Sequence, residues 1–256
     1  MQKIIISGIQ QMGVGVPSVT EAWNWYIEHF GMDIRIFEEK AVAELMLPHT
    51  EGQPRERYAA LAINMHGGGG FEIWQHTGKQ PAMPSFNLQI GDLGICVAKL
   101  KCRSIGKAYD YQKKVKTHVL SEITAMPNGQ KHFFVRDLYN NIFEFVEEPV
   151  FFSNVKRVPS GGAYGAIIGV RDMNESLPVY KDILGYDQIV FDETKQFDDF
   201  KCLPGGDGKF RRILLKHSQS RKGAFAPVFG PTQIELVQAL DRSPRNIFEG
   251  RMWGDP

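Results

Sequence analysis

Apolar and polar residues follow a pattern along this chain that predicts repeated α+β units. Residues 9–16 form a short β-rich run, and residues 18–30 place apolar side chains at helical spacing before Gly31. Further segments alternate or run apolar, as antiparallel strands do: they lie near 33–39, 41–47, 57–64 and 70–75. We therefore predict a unit made of one strand, one helix and several strands.

The same unit recurs. Val14-Gly15-Val16 returns as Ile168-Gly169-Val170, at a spacing of 154 residues. Phe30-Gly31-Met32-Asp33 returns as Leu184-Gly185-Tyr186-Asp187 at the same spacing. Residues 89–150 read as a looser copy, with an Asn140-Asn141 turn in the closing hairpin. Self-similarity at a fixed period predicts tandem βαβββ modules.

The module boundaries follow from this spacing. We expect residues 1–150 to contain two paired modules, 1–78 and 89–150, and residues 151–256 to contain a third module plus a C-terminal tail. The tail after the third module is about as long as the linker that precedes the second module, so a fourth module is expected to follow Pro256.

Composition restricts the function classes. The net charge of +1 gives no reason to expect nucleic acid or an anionic membrane as a partner. Three cysteines without a CxxC pair argue against a disulfide framework. The first residues are too short an apolar run for a signal peptide, and no stretch approaches a membrane span. These features predict a soluble cytoplasmic protein.

One basic stretch has two interpretations. Seven cationic residues fall in or beside a helix predicted at about 99–115, so they form either a polyanion patch or a solvated helix face, and we favour the solvated face. They are Lys99, Lys101, Arg103, Lys107, Lys113, Lys114 and Lys116.

Three carboxylates stand alone within apolar strands, at Glu72, Glu144 and Glu235. An ionised carboxylate in such a strand is unfavourable unless it is paired or binds a metal. A polar or metal-binding site inside a sheet is therefore the first hypothesis. The alternative is an edge-strand glutamate that faces solvent or an arginine. His66, His76 and His132 lie on or beside strands and are expected to be partly exposed.

The chain resembles the vicinal oxygen chelate superfamily, which includes glyoxalase I, bleomycin-resistance proteins and extradiol dioxygenases. Four segments carry the resemblance: residues 9–16, residues 22–26, residues 30–33, and Arg136-Asp137-Leu138-Tyr139-Asn140-Asn141-Ile142-Phe143-Glu144-Phe145. The resemblance implies an α+β fold in which paired modules form a cup-shaped, mostly antiparallel curved sheet.

The resemblance also implies a metal site made by the first two modules. Carried over by position, its ligands are Gln11, Glu72, Asp92 and Glu144, with Asp92 standing where the glyoxalase I pattern has histidine. The third module has Gly165 where Gln11 stands, so no metal is expected there.

The donor set predicts the chemistry. All-oxygen ligands favour Mg²⁺, Mn²⁺ or Ca²⁺ over Zn²⁺ or Cu²⁺, and they do not form a two-histidine iron site. We expect the cofactor to be a divalent ion, Mg²⁺, Mn²⁺ or Ni²⁺ rather than Zn²⁺. We expect glyoxalase-type lyase or isomerase chemistry on a small oxygenated metabolite, with Glu144 moving the proton and Glu72 able to share that role. The alternative is a non-catalytic small-molecule-binding protein with a degenerate metal site. Module pairing also suggests a homodimer.

Overall fold

The first module forms a small sheet with one helix against it. A computed structural model describes residues 5–154 and 158–256. Four strands occur in the spatial order β1-β4-β3-β2, with β1 parallel to β4 and the other neighbours antiparallel. The elements are β1 (Gln11–Gly15), α1 (Val19–Phe30), β2 (Ile34–Ala43), β3 (Arg55–Ile63) and β4 (Gly70–His76).

Local signals fix the ends of α1. The Ser18 hydroxyl accepts a hydrogen bond from the Glu21 backbone N–H at 3.3 Å, which satisfies a donor that the first helical turn leaves free. Gly31 ends the helix with a φ of 69°, in the left-handed region that glycine adopts without strain. Both ends lie where the sequence pattern predicted them.

The second module is built from β5 (Gly94–Cys102), α2 (Ile105–Lys114), the short strands β6 (His118–Val119) and β7 (Thr124–Ala125), β8 (Lys131–Arg136) and β9 (Ile142–Glu147). The third contains β10 (Ala163–Gly169), α3 (Met173–Pro178), one π-helical turn at Val179–Ile183, β11 (Gln188–Lys195), β12 (Phe210–Lys216), α4 (Ala226–Phe229) and β13 (Gln233–Ala239). The tandem α+β prediction is confirmed.

The second and third modules share one sheet of nine strands. Its spatial order is β11-β12-β13-β10-β5-β9-β8-β6, and β7 pairs with β8. The two modules meet where β10 runs antiparallel to β5, with Ala163 opposite Leu100. We call this the shared sheet. It differs from our expectation, because the sequence suggested that the first and second modules form the common cup.

The first module instead packs its helix side against the second. Tyr26 and Phe30 of α1 and Phe71 of β4 form ring contacts with Phe143 of β9, at centroid distances of 5.0–5.8 Å. The Tyr26 hydroxyl also donates to Asp137 Oδ2 at 2.6 Å, beyond the end of β8. The interface is therefore an apolar core with buried hydrogen bonds, of which the Tyr26–Asp137 bond is one.

A strand replaces the start of the helix predicted at 99–115. Residues 94–102 form β5, and α2 begins only at Ile105, after the Ser104 cap. Lys99 and Lys101 consequently lie in a central strand of the shared sheet, where both side chains are buried. Our prediction of a solvated helix face is wrong for these two lysines. Among the described residues, no helix is long and apolar enough to span a bilayer.

Candidate functional site

Each module places a glutamate at the same position within its last strand, and the residue opposite it on the neighbouring first strand differs between the modules. The register pairs are Gly13 with Glu72, Lys99 with Glu144, and Ile167 with Glu235. Phe143 and Phe145 of β9 belong to the core on the helix side, so alternation points Glu144 to the opposite face of the shared sheet.

Lys99 connects the glutamates of two modules. Its Nζ atom lies 2.7 Å from Glu144 Oε2 and 2.5 Å from Glu235 Oε2. All three side chains are completely buried. A single ammonium group thus stands between the two carboxylates at the junction of the second and third modules.

Three more buried groups extend this contact into a network. His132 Nδ1 lies 2.6 Å from Glu144 Oε1, and His132 Nε2 lies 3.4 Å from Asp199 Oδ2. Arg212 Nη1 donates to Asp199 Oδ2 at 2.6 Å, and Arg212 Nε donates to Glu235 Oε1. We call the six side chains the ion network: Lys99, His132, Glu144, Asp199, Arg212 and Glu235.

The charges of the ion network balance when His132 is protonated, which gives three cations and three carboxylates. Burial alone lowers the pKa of His132, but the hydrogen bonds and charges of Asp199 and Glu144 outweigh it, so the pKa lies above its ordinary value. Burial raises the pKa of Glu144, yet Lys99 and His132 outweigh it and bring that pKa to about 2. The network is therefore a set of mutually neutralising ions.

Aromatic and aliphatic side chains fill the space around these ions. The Arg212 guanidinium lies 4.0 Å from the ring centroid of Phe200, which belongs to a cluster with Phe197 and Leu203. The segment that carries these residues covers the face of the shared sheet that bears the network. All six side chains of the ion network are buried.

The sequence missed four members of the network: Lys99, His132, Asp199 and Arg212. His132 was expected to be partly exposed, and it is completely buried. Lys99 was assigned to a solvated helix, although the two lysines of residues 98–102, Lys99 and Lys101, alternate with apolar residues at the period of a strand. That alternation was the available signal. Partners as far apart as Lys99 and Glu235, 136 residues, could not be paired from it.

Gln11 and Glu72 meet in the other sheet. Gln11 Nε2 donates to Glu72 Oε2 at 2.5 Å, and both side chains are half-buried. These two predicted ligands therefore lie together, but on the first-module sheet, whereas Glu144 belongs to the shared sheet.

Asp92 has a local structural role. Its Oδ1 atom accepts hydrogen bonds from Arg242 Nη1 at 2.6 Å and from the Arg245 backbone N–H at 3.0 Å. Its Oδ2 atom accepts the Gln89 backbone N–H at 2.9 Å. Asp92 thus holds the turn before β5 against the segment after β13.

Across the described residues, no group of three or more His, Cys, Asp or Glu side chains could hold a metal ion.

A cavity of about 940 Å³ lies between β1, the beginning of β5, the β8–β9 turn and the C-terminal residues. Much of its wall is apolar, with Ile95, Val97, Leu203 and Ile247 among the lining residues. Cys96 also lines it, but burial raises the pKa of this thiol to about 11, so it remains protonated at neutral pH. The size and lining are those of a site for a small organic molecule.

Comparison with known proteins shows similarity in structure. No protein-family model matches the chain, and no curated protein matches it. Glyoxalase I from Zea mays has 13% sequence identity and a TM-score of 0.50, and the alignment covers 92% of this chain and 69% of that protein. A Bacillus subtilis protein provisionally described as a dioxygenase has 14% identity and a TM-score of 0.55, with coverages of 93% and 66%. At such identities the similarity shows the fold.

Proposed function

Because the chain has the vicinal oxygen chelate fold, we propose that it is a small-molecule-binding protein that works without a metal in its shared sheet. The observation that carries the proposal is the cavity of about 940 Å³, whose wall is largely apolar and also carries polar and charged groups.

The ion network explains why binding is favoured over metal-dependent catalysis at Glu144. A divalent ion at Glu144 and Glu235 would have to displace the Lys99 ammonium, which lies within 2.7 Å of both carboxylates. Arg212 lies against Glu235 as well. The donor set therefore does not fit a metal there, because the negative charge is already compensated by two internal cations.

A second candidate, metal-dependent lyase or isomerase chemistry, is favoured by the contact of Gln11 with Glu72. Gln11 and Glu72 are two of the four predicted ligands, and Gln11 Nε2 lies 2.5 Å from Glu72 Oε2. Gln11 belongs to β1, which is an edge strand of the first-module sheet. Two donors do not complete a coordination shell. Another module, for example in a second copy of the chain, would have to pair with β1 and supply the rest. The other two predicted ligands, Asp92 and Glu144, already pair with Arg242 and Lys99.

One binding experiment separates the two candidates. The uncharged fluorescent probe N-phenyl-1-naphthylamine is titrated into the protein with EDTA and then with Mn²⁺, Ni²⁺ or Mg²⁺. We expect saturable binding of one probe per chain, with the same affinity in EDTA. Lack of saturable binding would contradict the proposal. Binding that requires a metal and is lost in Glu72→Gln would instead support the second candidate.

A further inference from the structure

Two arginines line the cavity, and each has a buried donor that has no hydrogen-bond partner among the described residues. Arg136 ends β8, and Arg251 lies in the C-terminal segment. Arg136 Nε and both Nε and Nη1 of Arg251 are buried without a hydrogen-bond partner among the described residues. Arg251 uses only Nη2, which donates to the Ile247 carbonyl oxygen. Buried donors of a charged group are unfavourable when they are left unsatisfied.

The carboxylate beside Arg136 in sequence is already occupied. Asp137 accepts the Tyr26 hydroxyl at 2.6 Å and the backbone N–H groups of Tyr139 and Asn141, each at 2.8 Å. It also accepts the Asn141 side-chain amide at 2.9 Å. Asp137 therefore holds the β8–β9 turn, and no ion pair joins Arg136 to a carboxylate in the described part of the chain.

The carboxylate nearest to Arg251 is occupied in the same way. Asp255 accepts the backbone N–H groups of Met252 at 2.9 Å and Ala82 at 3.1 Å, and it pairs with Lys79 at 3.0 Å. Burial lowers the pKa of Arg251, and the charge of Asp255 only partly opposes this. The C-terminal segment is thus tied down by Asp255 while Arg251 keeps free donors.

We propose that the cavity takes an organic anion, whose acidic group binds the guanidinium groups of Arg136 and Arg251 and whose apolar body lies against the cavity wall. The inference rests on the proposed function and names its ligand class. A guanidinium fork matches a carboxylate, sulfonate or phosphate with two parallel N–H···O bonds. Two cations with unsatisfied donors in a largely apolar cavity select for such a group over an uncharged molecule of the same shape.

The test compares two competitors that differ only in the head group. Octanoate and octanol are each used to displace N-phenyl-1-naphthylamine from the wild-type protein. We expect octanoate to displace the probe at about one tenth of the octanol concentration, because a hydrogen bond to a charged group contributes a factor of this order. Equal potency of the two competitors would overturn the inference.

Variants assign the preference to the arginines. In Arg136→Met and Arg251→Met we expect the octanoate advantage to fall about tenfold, with octanol potency unchanged. Arg171→Met, at an exposed arginine outside the cavity lining, should behave as wild type. A full octanoate advantage in both cavity variants would overturn the assignment.

The assay also separates this inference from the proposed function. If the probe does not bind the wild-type protein, the proposed function fails. If it binds and the head group has no effect, only the anion inference fails. If a methionine variant does not fold and loses the probe, the wild-type comparison of octanoate with octanol still decides.

Discussion

The first-module sheet and the shared sheet place glutamate at the same strand position and surround it differently. Glu72 is half-buried and accepts a hydrogen bond from a neutral amide, Gln11. Glu144 is completely buried and lies against a lysine and a histidine. The glutamate position therefore has no fixed role, because its chemistry depends on what the first strand and the neighbouring module place beside it.

The largest effect is expected from removing the cation that joins the two glutamates. Lys99→Met leaves Glu144 and Glu235 buried with less compensating charge, which should lower the free energy of unfolding by about 3–5 kcal/mol. Urea denaturation measures this loss. Lys114→Met is the matched control, because it removes an exposed lysine and should change stability by about 0.5 kcal/mol or less. Equal losses in both variants would refute the role of Lys99.

The two glutamates themselves offer a direct comparison. Glu144→Gln removes one partner of a buried ion pair, and we expect a loss of about 3 kcal/mol, since Lys99 keeps Glu235. Glu72→Gln should cost about 1 kcal/mol or less, because the site is half-exposed and an amide can still accept the Gln11 hydrogen bond. Denaturation of the two variants in parallel tests the difference. A Glu72→Gln loss as large as that of Glu144→Gln would remove the contrast.

Alkaline pH should weaken the shared sheet through His132. Its pKa is raised in the folded protein, so its stabilisation is complete below the ordinary pKa of 6.5 and is lost as the pH rises through the folded value. We expect wild-type stability to fall relative to His132→Gln as the pH rises above the ordinary histidine pKa of 6.5. Chemical denaturation across this range gives the difference.

Subtracting the stability curve of His132→Gln from that of the wild type removes the contribution of Lys101, which also titrates in this range. Burial lowers the pKa of Lys101 to about 8, against the opposing charge of Glu148, and this lysine titrates equally in both proteins. Parallel stability curves for wild type and His132→Gln would show that His132 does not titrate in the folded state as described.

A smaller effect than at Lys99 or Glu144 is expected at Asp92. Asp92→Asn keeps one carbonyl oxygen but weakens the contact with Arg242, which is partly exposed, so the loss should be about 1 kcal/mol. Thermal unfolding measures it. Metal content should be the same as in wild type. A metal lost from Asp92→Asn would return this residue to the predicted ligand set.

The sequence predicted the architecture well because its signals are local. Ser18 and Gly31 mark the ends of α1, and Asn140 turns the last hairpin of the second module with a φ of 68°. Repeated local patterns then imply repeated modules. The choice of which modules pair depends on the contact of β10 with β5, which no local pattern carries.

The candidate site was only partly predictable, because its ions come from distant segments. Glu144 and Glu235 were recognised as unusual, since each interrupts an apolar strand. Their shared partner, Lys99, was not recognised, because it begins a run of basic residues that we assigned to a helix. Arg136 and Arg251 became notable only when the fold placed both beside one cavity.

The central claim is that internal cations, and not a metal, neutralise the glutamates of the shared sheet. Calorimetric unfolding of the wild-type protein in EDTA and in saturating Mn²⁺, Ni²⁺ or Mg²⁺ tests it most directly. We predict the same unfolding temperature in all four solutions. A rise in unfolding temperature with a metal that is abolished in Glu144→Gln and retained in Glu72→Gln would contradict the claim.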